Sequence, residues 1–244
     1  MKKNIKPLPC GIKIETNDHL FFFFNASAQL SDISQNFHSR SFHRLHQKHT
    51  DVCQNSSTET CVQDPTKGFS AVIGDAIYTQ DPGHAVGVST ADCIPLLIAS
   101  DSSVMAIHAG WKGVENEIVI KSLRGRWQAP ERSQVVIGPH IQARSFEVDL
   151  DLAVKFNSQY DRYCAELSRS RNRFDVFELS AANAKKAYVN LSLIVLAQLQ
   201  LCGFTPSQIW ISDIDTKTDL NWASYRREGA NMGKNLSFVA RRSP

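Results

Sequence analysis

The sequence predicts an α/β or α+β fold in which strands and helices alternate along a single domain. Three observations predict it: short runs rich in Val and Ile between residues 71 and 137, an amphipathic segment between two of those runs, and a long apolar segment at residues 180–202. The chain has 244 residues, 42% of them apolar, which suffices for a sizeable core. Since no Pro/Gly/Ser-rich linker divides the chain, we expect one domain over residues 1–244.

The first part of the chain, about residues 1–68, is expected to be irregular apart from one strand at the apolar residues 20–24. Beyond it, the short apolar runs predict buried strands at residues 71–73, 85–88, 94–99, 104–107 and 135–137. The segment 114–127, which lies between the last two runs, has loosely helical spacing and is followed by Pro130. It predicts a helix that connects these two strands.

The clearest helical pattern covers residues 180–202. Ser180 is placed to act as N-cap, and Gly203 follows as the residue that ends the helix. Residues 209–211 and 236–240 then predict two closing strands.

Charge and hydropathy exclude several classes of protein. The 27 Lys and Arg residues against 24 Asp and Glu give a net charge of +3, too small and too scattered for nucleic-acid binding. The longest apolar run, residues 20–24, is far shorter than the roughly 20 residues of a membrane span. Because charged residues and prolines interrupt the first 18 residues, a signal peptide is not expected, and we predict a cytoplasmic protein with mostly reduced cysteines.

Three segments carry side chains suited to metal binding or nucleophilic chemistry. They are Leu45-His-Gln-Lys-His49-Thr-Asp51, Thr90-Ala-Asp-Cys93-Ile-Pro95 and His108-Ala-Gly-Trp-Lys-Gly113. Each places such a side chain at the edge of a predicted strand, and Pro95 predicts a kink beside Cys93. Two imidazoles and one thiolate form a competent set of zinc ligands with one coordination position left open. The spacing of His49, Cys93 and His108 along the sequence does not by itself distinguish a metal site from ordinary buried side chains.

Together with further motifs, these segments resemble the YfiH-like family, whose members are called laccase-domain or polyphenol oxidase proteins and are described as purine nucleoside phosphorylases. The resemblance rests on Gln47-x-His49, Gly74-Asp75-Ala76, Thr90-Ala-Asp-Cys-Ile-Pro95, His108-Ala-Gly-Trp-Lys-Gly113, Ile137-Gly-Pro139 with Phe146-Glu-Val148, and Ser224-Tyr-Arg-Arg227. It covers the chain from about residue 45 to the C-terminus. It implies an αββα sandwich of two sheets and a zinc site made by His49, Cys93 and His108.

The resemblance also implies an activity. Family members are associated with phosphorolysis of adenosine, inosine, guanosine or methylthioadenosine, and with hydrolytic deamination of adenosine. Small-molecule nucleoside and phosphate are therefore the expected partners, for a monomer or a homodimer. We expect zinc, Lys112 and Arg226 to hold the phosphate, and Asp75 or His140 to transfer protons, with Cys93 and His108 at the reacting centre.

Several positions depart from the family pattern. The usual Arg-x-Gly-Gly loop near the N-terminus is missing, since Asn25-Ala-Ser-Ala follows Phe24. His140 and Asp215 stand where cysteines are common in the family, and Lys112 replaces an Arg, which removes a bidentate donor. These changes predict an altered substrate preference.

Alternatives remain at individual residues. Asp75 is equally suited to cap a turn, and Asp92 either orients a ligand imidazole or stabilises the turn before Cys93. If residues 226–227 lie in a strand, one of Arg226 and Arg227 points to solvent.

Two other functions compete with the zinc phosphorylase. Cys93 and His108 are suited to act as nucleophile and base of a thiol hydrolase that cleaves amides, and such a dyad does not need His49. A non-catalytic paralogue is the third hypothesis. Copper oxidase chemistry is weaker, because a single centre of two His and one Cys lacks the several coppers that reduce dioxygen to water.

Overall fold

The apolar runs of the sequence form the central strands of two large β-sheets. The computed structural model describes residues 4–29, 31–33, 41–56, 61–62, 72–168 and 176–242, and part of the predicted strand 71–73 lies outside them. The strands are β1 (Asn4–Leu8), β2 (Gly11–Glu15), β3 (His19–Phe24), β4 (Ser41–His43), β5 (Cys53–Asn55), β6 (Cys61–Val62), β7 (Ala76–Thr79), β8 (His84–Thr90), β9 (Ile94–Ala99), β10 (Val104–Ala109), β11 (Gln134–Ile137), β12 (Glu147–Asp149), β13 (Phe177–Leu179), β14 (Lys186–Val189), β15 (Ile209–Ile211) and β16 (Asn235–Arg241).

The α-helices whose full bounds lie within the described residues are α1 (Trp111–Glu115), α2 (Ile118–Leu123), α3 (Leu150–Glu166), α4 (Leu191–Leu201) and α5 (Tyr225–Glu228). None of them has the length and apolar character needed to cross a membrane. Short 3₁₀ turns lie at Pro130–Arg132, Ala143–Ser145, Pro206–Gln208 and Gly229–Asn231.

Two large sheets pack face to face, which confirms the predicted mixed fold. One has seven strands in the order β1-β2-β3-β16-β8-β4-β6, and the other has six in the order β15-β11-β9-β10-β7-β5. Phe21, Phe23 and Val239 of the first sheet meet Leu97 and Val136 of the second in one buried cluster. A third sheet, β12-β14-β13, completes the described strands.

The opposite face of the six-stranded sheet is covered by the longer helices. Alternate residues Leu96, Ile98 and Ile107 pack there against helical residues such as Phe156 and Ile194. Because both faces of its central strands are buried, β9 and β10 consist almost entirely of apolar residues, which made them easy to predict from the sequence.

The N-terminal segment differs from the prediction. Instead of one strand, residues 1–68 contain six, β1 to β6. Of these, β1 and β2 form a hairpin, and β2 pairs with β3 in antiparallel register. The alternation of Ile12 and Ile14 with Lys13 and Glu15 is typical of a strand, but it is too short to predict one by itself. Pairing with the four consecutive phenylalanines of β3 stabilises it.

The predicted helix 180–202 was too long at its start. Residues 186–189 form β14, which pairs with both β12 and β13. The helix begins only after Asn190, whose side chain accepts a hydrogen bond of 3.1 Å from the backbone N–H of Leu193. Ser180 is not the N-cap, because its hydroxyl donates to Glu147 instead. Gly203, with a φ of +89°, follows the helix as predicted.

Two other helices were predicted incompletely. The segment 114–127 contains the end of α1 and all of α2, which are separated at Glu117, a residue with a φ of +61°. The long helix α3 was not predicted, although Ala153, Phe156, Tyr160 and Tyr163 recur on its buried side at helical spacing. Its many polar residues obscured that pattern.

We expect Asn190→Ala to lower the free energy of unfolding by about 1 kcal/mol, because the first turn of α4 loses its side-chain cap. Urea denaturation followed by circular dichroism measures the change. Asn190→Asp is the matched control, since Asp keeps the acceptor oxygen and should leave stability close to that of the unmodified protein. Equal losses in both variants would show that the cap does not stabilise α4.

Candidate functional site

The three donor residues singled out in the sequence come together at one end of the six-stranded sheet. His49 lies in the loop before β5, Cys93 in the turn between β8 and β9, and His108 near the end of β10. The β9–β10 register pairs His108 with Pro95, which brings Cys93 beside it. One ligand atom from each of the three residues lies within 4.8 Å of the others, and Cys93 Sγ is 4.0 Å from His49 Nε2.

Asp75 contacts the imidazole of His108 and the backbone of the loop that carries His49. Its carboxylate is buried and accepts a hydrogen bond of 2.7 Å from His108 Nδ1. It also accepts from the backbone N–H groups of His49 at 3.1 Å and Thr50 at 2.6 Å, and from the Thr50 hydroxyl at 2.7 Å. Since Nδ1 of His108 is engaged, Nε2 is the atom that faces Cys93 and His49, as in carboxylate–histidine–metal arrangements.

The sequence left two roles open for Asp75, proton transfer and stabilisation of a turn. Burial alone would raise its pKa, but the hydrogen bonds from His108 and Thr50 outweigh burial and hold the pKa well below the usual range. The carboxylate stays ionised and faces the loop and His108. The contacts match the turn-stabilising alternative for Asp75, and its carboxylate also bonds to the His108 imidazole.

Cys93 and His108 each shift the pKa of the other towards the charged form. Burial would raise the pKa of the Cys93 thiol, but the imidazoles of His108 and His49 lower it below its ordinary value. Burial would lower the pKa of His108, but Cys93 and the Asp75 carboxylate raise it. In the absence of a metal, this geometry favours a thiolate beside an imidazolium.

The donor set fits a single metal ion. Tetrahedral zinc with one sulfur and one nitrogen ligand needs an S···N separation of about 3.6 Å, which is close to the 4.0 Å between Cys93 and His49. A Cβ at Gly110 would lie 2.9 Å from His49 Cδ2 and 3.2 Å from Cys93 Sγ, so only glycine leaves this space open. Among the described residues, this is the one group of three or more His, Cys, Asp or Glu side chains that could hold a metal.

The cluster lies in the wall of a cavity of about 780 Å³. Apolar and aromatic side chains make up part of its lining, namely Trp111, Ile141, Phe146, Val148, Leu152, Leu191, Tyr225 and Met232. Polar and charged side chains also line it, including His46, Gln47, Glu147, Asp149, Lys186, Arg226 and Lys234. The cavity therefore suits a small molecule with an apolar ring and a polar or anionic part.

The positively charged side chains that line the cavity include Arg226, which the sequence predicted as a phosphate-binding residue, but not Lys112. Lys112 is exposed, and its Nζ lies 5.4 Å from the centre of the Trp111 ring, while the side chain does not line the cavity. Lys234 lines it instead, close enough to Cys93 for their charges to interact. Within the described part of the chain, Lys234 has no ion-pair partner, whereas Lys186 is paired with Asp149 at 2.7 Å. No motif in the sequence indicated Lys234.

Arg226 lines the cavity as predicted, but it belongs to helix α5 rather than to a strand. Its guanidinium donates to the carbonyl oxygen of Glu147 at 2.7 Å and lies 5.7 Å from the centre of the Phe146 ring. Arg227 is not a solvated charge either, because it donates to backbone carbonyl oxygens such as those of Thr216 and Trp222.

His140 does not reach the cavity, which corrects the prediction that it transfers protons there. It is completely buried and hydrogen-bonded to Gly138 and Ser192. Asp92 stabilises the turn before Cys93 rather than orienting an imidazole. Its φ is +82°, and its carboxylate accepts from Thr216 Oγ1 and from the backbone N–H of Arg226, both at 2.7 Å.

Sequence comparison gives one family and several relatives. The model of the family described as multi-copper polyphenol oxidoreductase laccase matches residues 25–242. A purine nucleoside phosphorylase of Deinococcus radiodurans is 28% identical over 171 residues, which are 68% of this chain and 60% of that protein. Purine nucleoside phosphorylase YfiH of Shigella flexneri is 26% identical over 161 residues, 64% of this chain and 65% of that protein. The matches thus span less than two thirds of these two relatives.

A further relative carries a different name, and solved structures share the fold. Adenosine deaminase RL5, from an unknown prokaryotic organism, is 28% identical over 174 residues, 69% of this chain and 62% of that protein. The crystal structure of YfiH from Bacillus licheniformis has a TM-score of 0.79 at 19% identity and covers 98% of this chain and 99% of its own. YlmD from Geobacillus stearothermophilus has a TM-score of 0.79 at 18% identity, with 99% and 100% covered.

We expect Gly110→Ala to lower the affinity for a divalent metal about 10- to 100-fold, because the added methyl group displaces His49 or Cys93. Isothermal titration with zinc measures the affinity. Gly113→Ala is the control from the same segment, since its Cβ would meet Ile118 and Thr50 rather than the donor atoms. Unchanged affinity in Gly110→Ala would contradict a shared site at these three residues.

Proposed function

The chain belongs to the multi-copper polyphenol oxidoreductase laccase family, and on this basis we propose that it is a zinc-dependent purine nucleoside phosphorylase acting on adenosine, inosine, guanosine or methylthioadenosine. The observation that carries the proposal is the convergence of His49, Cys93 and His108 on the wall of a nucleoside-sized cavity. Relatives named purine nucleoside phosphorylase support it. The relative named adenosine deaminase supports a second, hydrolytic activity at the same site.

His49, Cys93 and His108 would hold the metal, and Asp75 would keep His108 in the tautomer that presents Nε2. When bound, zinc supplies a Lewis acid and lowers the pKa of a coordinated water. Thiolate and imidazole donors favour zinc over harder cations. A copper oxidase is disfavoured, because the described residues offer a single such group whereas dioxygen reduction needs several coppers.

The other cavity residues would position the two substrates. Lys234 and Arg226 carry the positive charges that attract phosphate, and Lys234 replaces Lys112 in this role. The apolar side chains of the lining, including Phe146 and Leu191, would exclude water and accommodate the purine base. Phosphorolysis develops positive charge on the ribose while the leaving base gains a proton. Of the carboxylates that line the cavity, Glu147 is placed to hold that proton. Its Oε1 accepts a single hydrogen bond from Ser180, whereas Asp149 forms an ion pair with Lys186 and Asp92 accepts from Thr216 and Arg226.

A thiol hydrolase is the second candidate. The Cys93 thiol interacts with the His108 imidazole, and that imidazole is hydrogen-bonded to the Asp75 carboxylate, as in a nucleophile–base–carboxylate triad. The position of His49 beside Sγ favours the metal site, since a simple dyad has no need of a second imidazole there. The experiments below distinguish the two functions.

We expect about one zinc per chain in the purified protein, as in catalytic zinc sites. His49→Ala, Cys93→Ala and His108→Ala should each lose most of the metal and all phosphate-dependent release of purine base. Elemental analysis and liquid chromatography after incubation with adenosine, inosine and methylthioadenosine, with and without phosphate, measure both. Glu147→Gln is the matched variant that should keep the metal and lose base release.

Retention of zinc in all three donor variants would end the metal hypothesis. If His49→Ala kept an amide-hydrolysing activity that Cys93→Ala abolished, the thiol hydrolase would replace the phosphorylase. Inosine formed from adenosine at equal rates with and without phosphate would indicate that deamination is the principal reaction.

Lys234→Ala should raise the KM for phosphate about 10- to 100-fold, which is the loss expected for one hydrogen bond to a charged group. The metal content should not change, because the lysine is not one of the metal donors. Lys112→Ala is the matched control, and its KM for phosphate should stay the same since its side chain does not line the cavity. A raised KM for phosphate in Lys112→Ala together with an unchanged KM in Lys234→Ala would identify Lys112 as the phosphate-binding residue.

A further inference from the structure

The side chain of Gln47 lines the cavity, yet it is bound to the protein itself. Its Oε1 accepts hydrogen bonds from the backbone N–H of Ser89 at 2.8 Å and from the Ser89 hydroxyl at 3.1 Å. Its Nε2 donates to the carbonyl oxygen of Ser89 at 2.8 Å. The amide thus exchanges hydrogen bonds with the backbone of one residue, as paired residues of two antiparallel strands do. The proposed phosphorolysis assigns no role to Gln47 or Ser89.

These hydrogen bonds join two segments that carry donor residues. Gln47 lies two positions before His49, and Ser89 lies four positions before Cys93, near the end of β8. Strand β8 belongs to the seven-stranded sheet, whereas His108 lies on β10 of the six-stranded sheet. The Gln47 amide therefore connects the loop of His49 to the chain that leads into the turn of Cys93.

His49 is the donor whose position depends most on such contacts. It is exposed, whereas His108 is buried, and its φ of +57° is unusual for a residue other than glycine. Asp75 anchors the backbone of this loop on the side of His108. Within the described part of the chain, the hydrogen bonds of the Asp75 carboxylate do not reach the segment that carries Cys93, whereas those of Gln47 do.

We propose that Gln47 is a positioning residue of the metal site. Through Ser89 it holds His49 beside Cys93, so that the donor atoms are in place before the ion binds. This inference rests on the metal site proposed above. A preformed set of donors binds an ion more tightly, because the chain loses less freedom on binding. Removal of the Gln47 amide should therefore weaken metal binding, although the amide is not one of the three donors.

The test measures the affinity of the full chain for zinc alone by isothermal titration. Gln47→Met keeps a similar length and removes all three hydrogen bonds, and it should lower the affinity about 10-fold or more, as loss of a residue that orients metal ligands does. Ser89→Ala keeps the two hydrogen bonds to the backbone and should stay close to the unmodified protein. If Gln47→Met does not fold, Gln47→Asn, whose amide is too short to reach Ser89, should show the same loss.

Gln54→Met is the matched control. Gln54 belongs to β5, which follows the same loop, and its Nε2 donates to the carbonyl oxygen of Ile73 at 2.9 Å rather than to the segment of Cys93. The substitution is the same and also removes a hydrogen bond to a backbone carbonyl, so a general loss of stability would affect both variants. The zinc affinity of Gln54→Met should equal that of the unmodified protein.

The absorption spectrum after addition of cobalt alone separates positioning from unfolding. A thiolate-to-cobalt charge-transfer band reports Cys93, and the strong visible bands of four-coordinate cobalt weaken when water ligands raise the coordination number. Gln47→Met should keep the first band and lose intensity in the others, because His49 is the donor that is released. Loss of all these bands, or of none, would contradict the proposal.

Equal zinc affinities in Gln47→Met and the unmodified protein would overturn this inference and leave the proposed metal site standing. Equal losses in Gln47→Met and Gln54→Met would also overturn it, because the loss would then reflect general stability. If the unmodified protein bound no zinc, the metal site and this inference would both fail. Purine release enters none of these measurements.

Discussion

The candidate site depends on one buried carboxylate. Asp75 comes just before β7, yet it bonds to His108 on the neighbouring strand and to the backbone of the loop that carries His49. An ionised group inside a protein is tolerated only when its lone pairs are filled, and here five donors fill them. The same contacts that satisfy the charge fix two of the three candidate ligands relative to each other.

The backbone around the cluster is correspondingly constrained. His49 has a φ of +57° and Asp92 a φ of +82°, conformations that non-glycine residues seldom adopt. Each is held by hydrogen bonds: His49 through its backbone N–H to Asp75, and Asp92 through its carboxylate to Thr216 and Arg226. Such strain persists only where surrounding contacts outweigh it. Of the five non-glycine residues with positive φ in the described part of the chain, His49 is a candidate ligand and Asp92 directly precedes another.

Much of the fold and part of the site could be predicted from the sequence. The central strands β9 and β10 were clear because both of their faces are buried, and His49, Cys93 and His108 were recognised by their donor chemistry together with the family resemblance. Asp75 was named, but its contacts with His108 and the loop of His49 could not be predicted, because these hydrogen bonds reach residues 25 to 33 positions away. Lys234 and the burial of His140 could not be predicted, since side-chain direction relative to a cavity depends on tertiary packing.

The turn at Asp92 links parts of the protein that the chain keeps far apart. Its backbone leads directly into Cys93, while one carboxylate oxygen receives the N–H of Arg226, 134 residues later. The turn that carries the sulfur and the helix that presents the guanidinium therefore share one anchoring carboxylate. The spacing between the thiolate end and the arginine end of the cavity is thus fixed by a tertiary contact rather than by the chain between them.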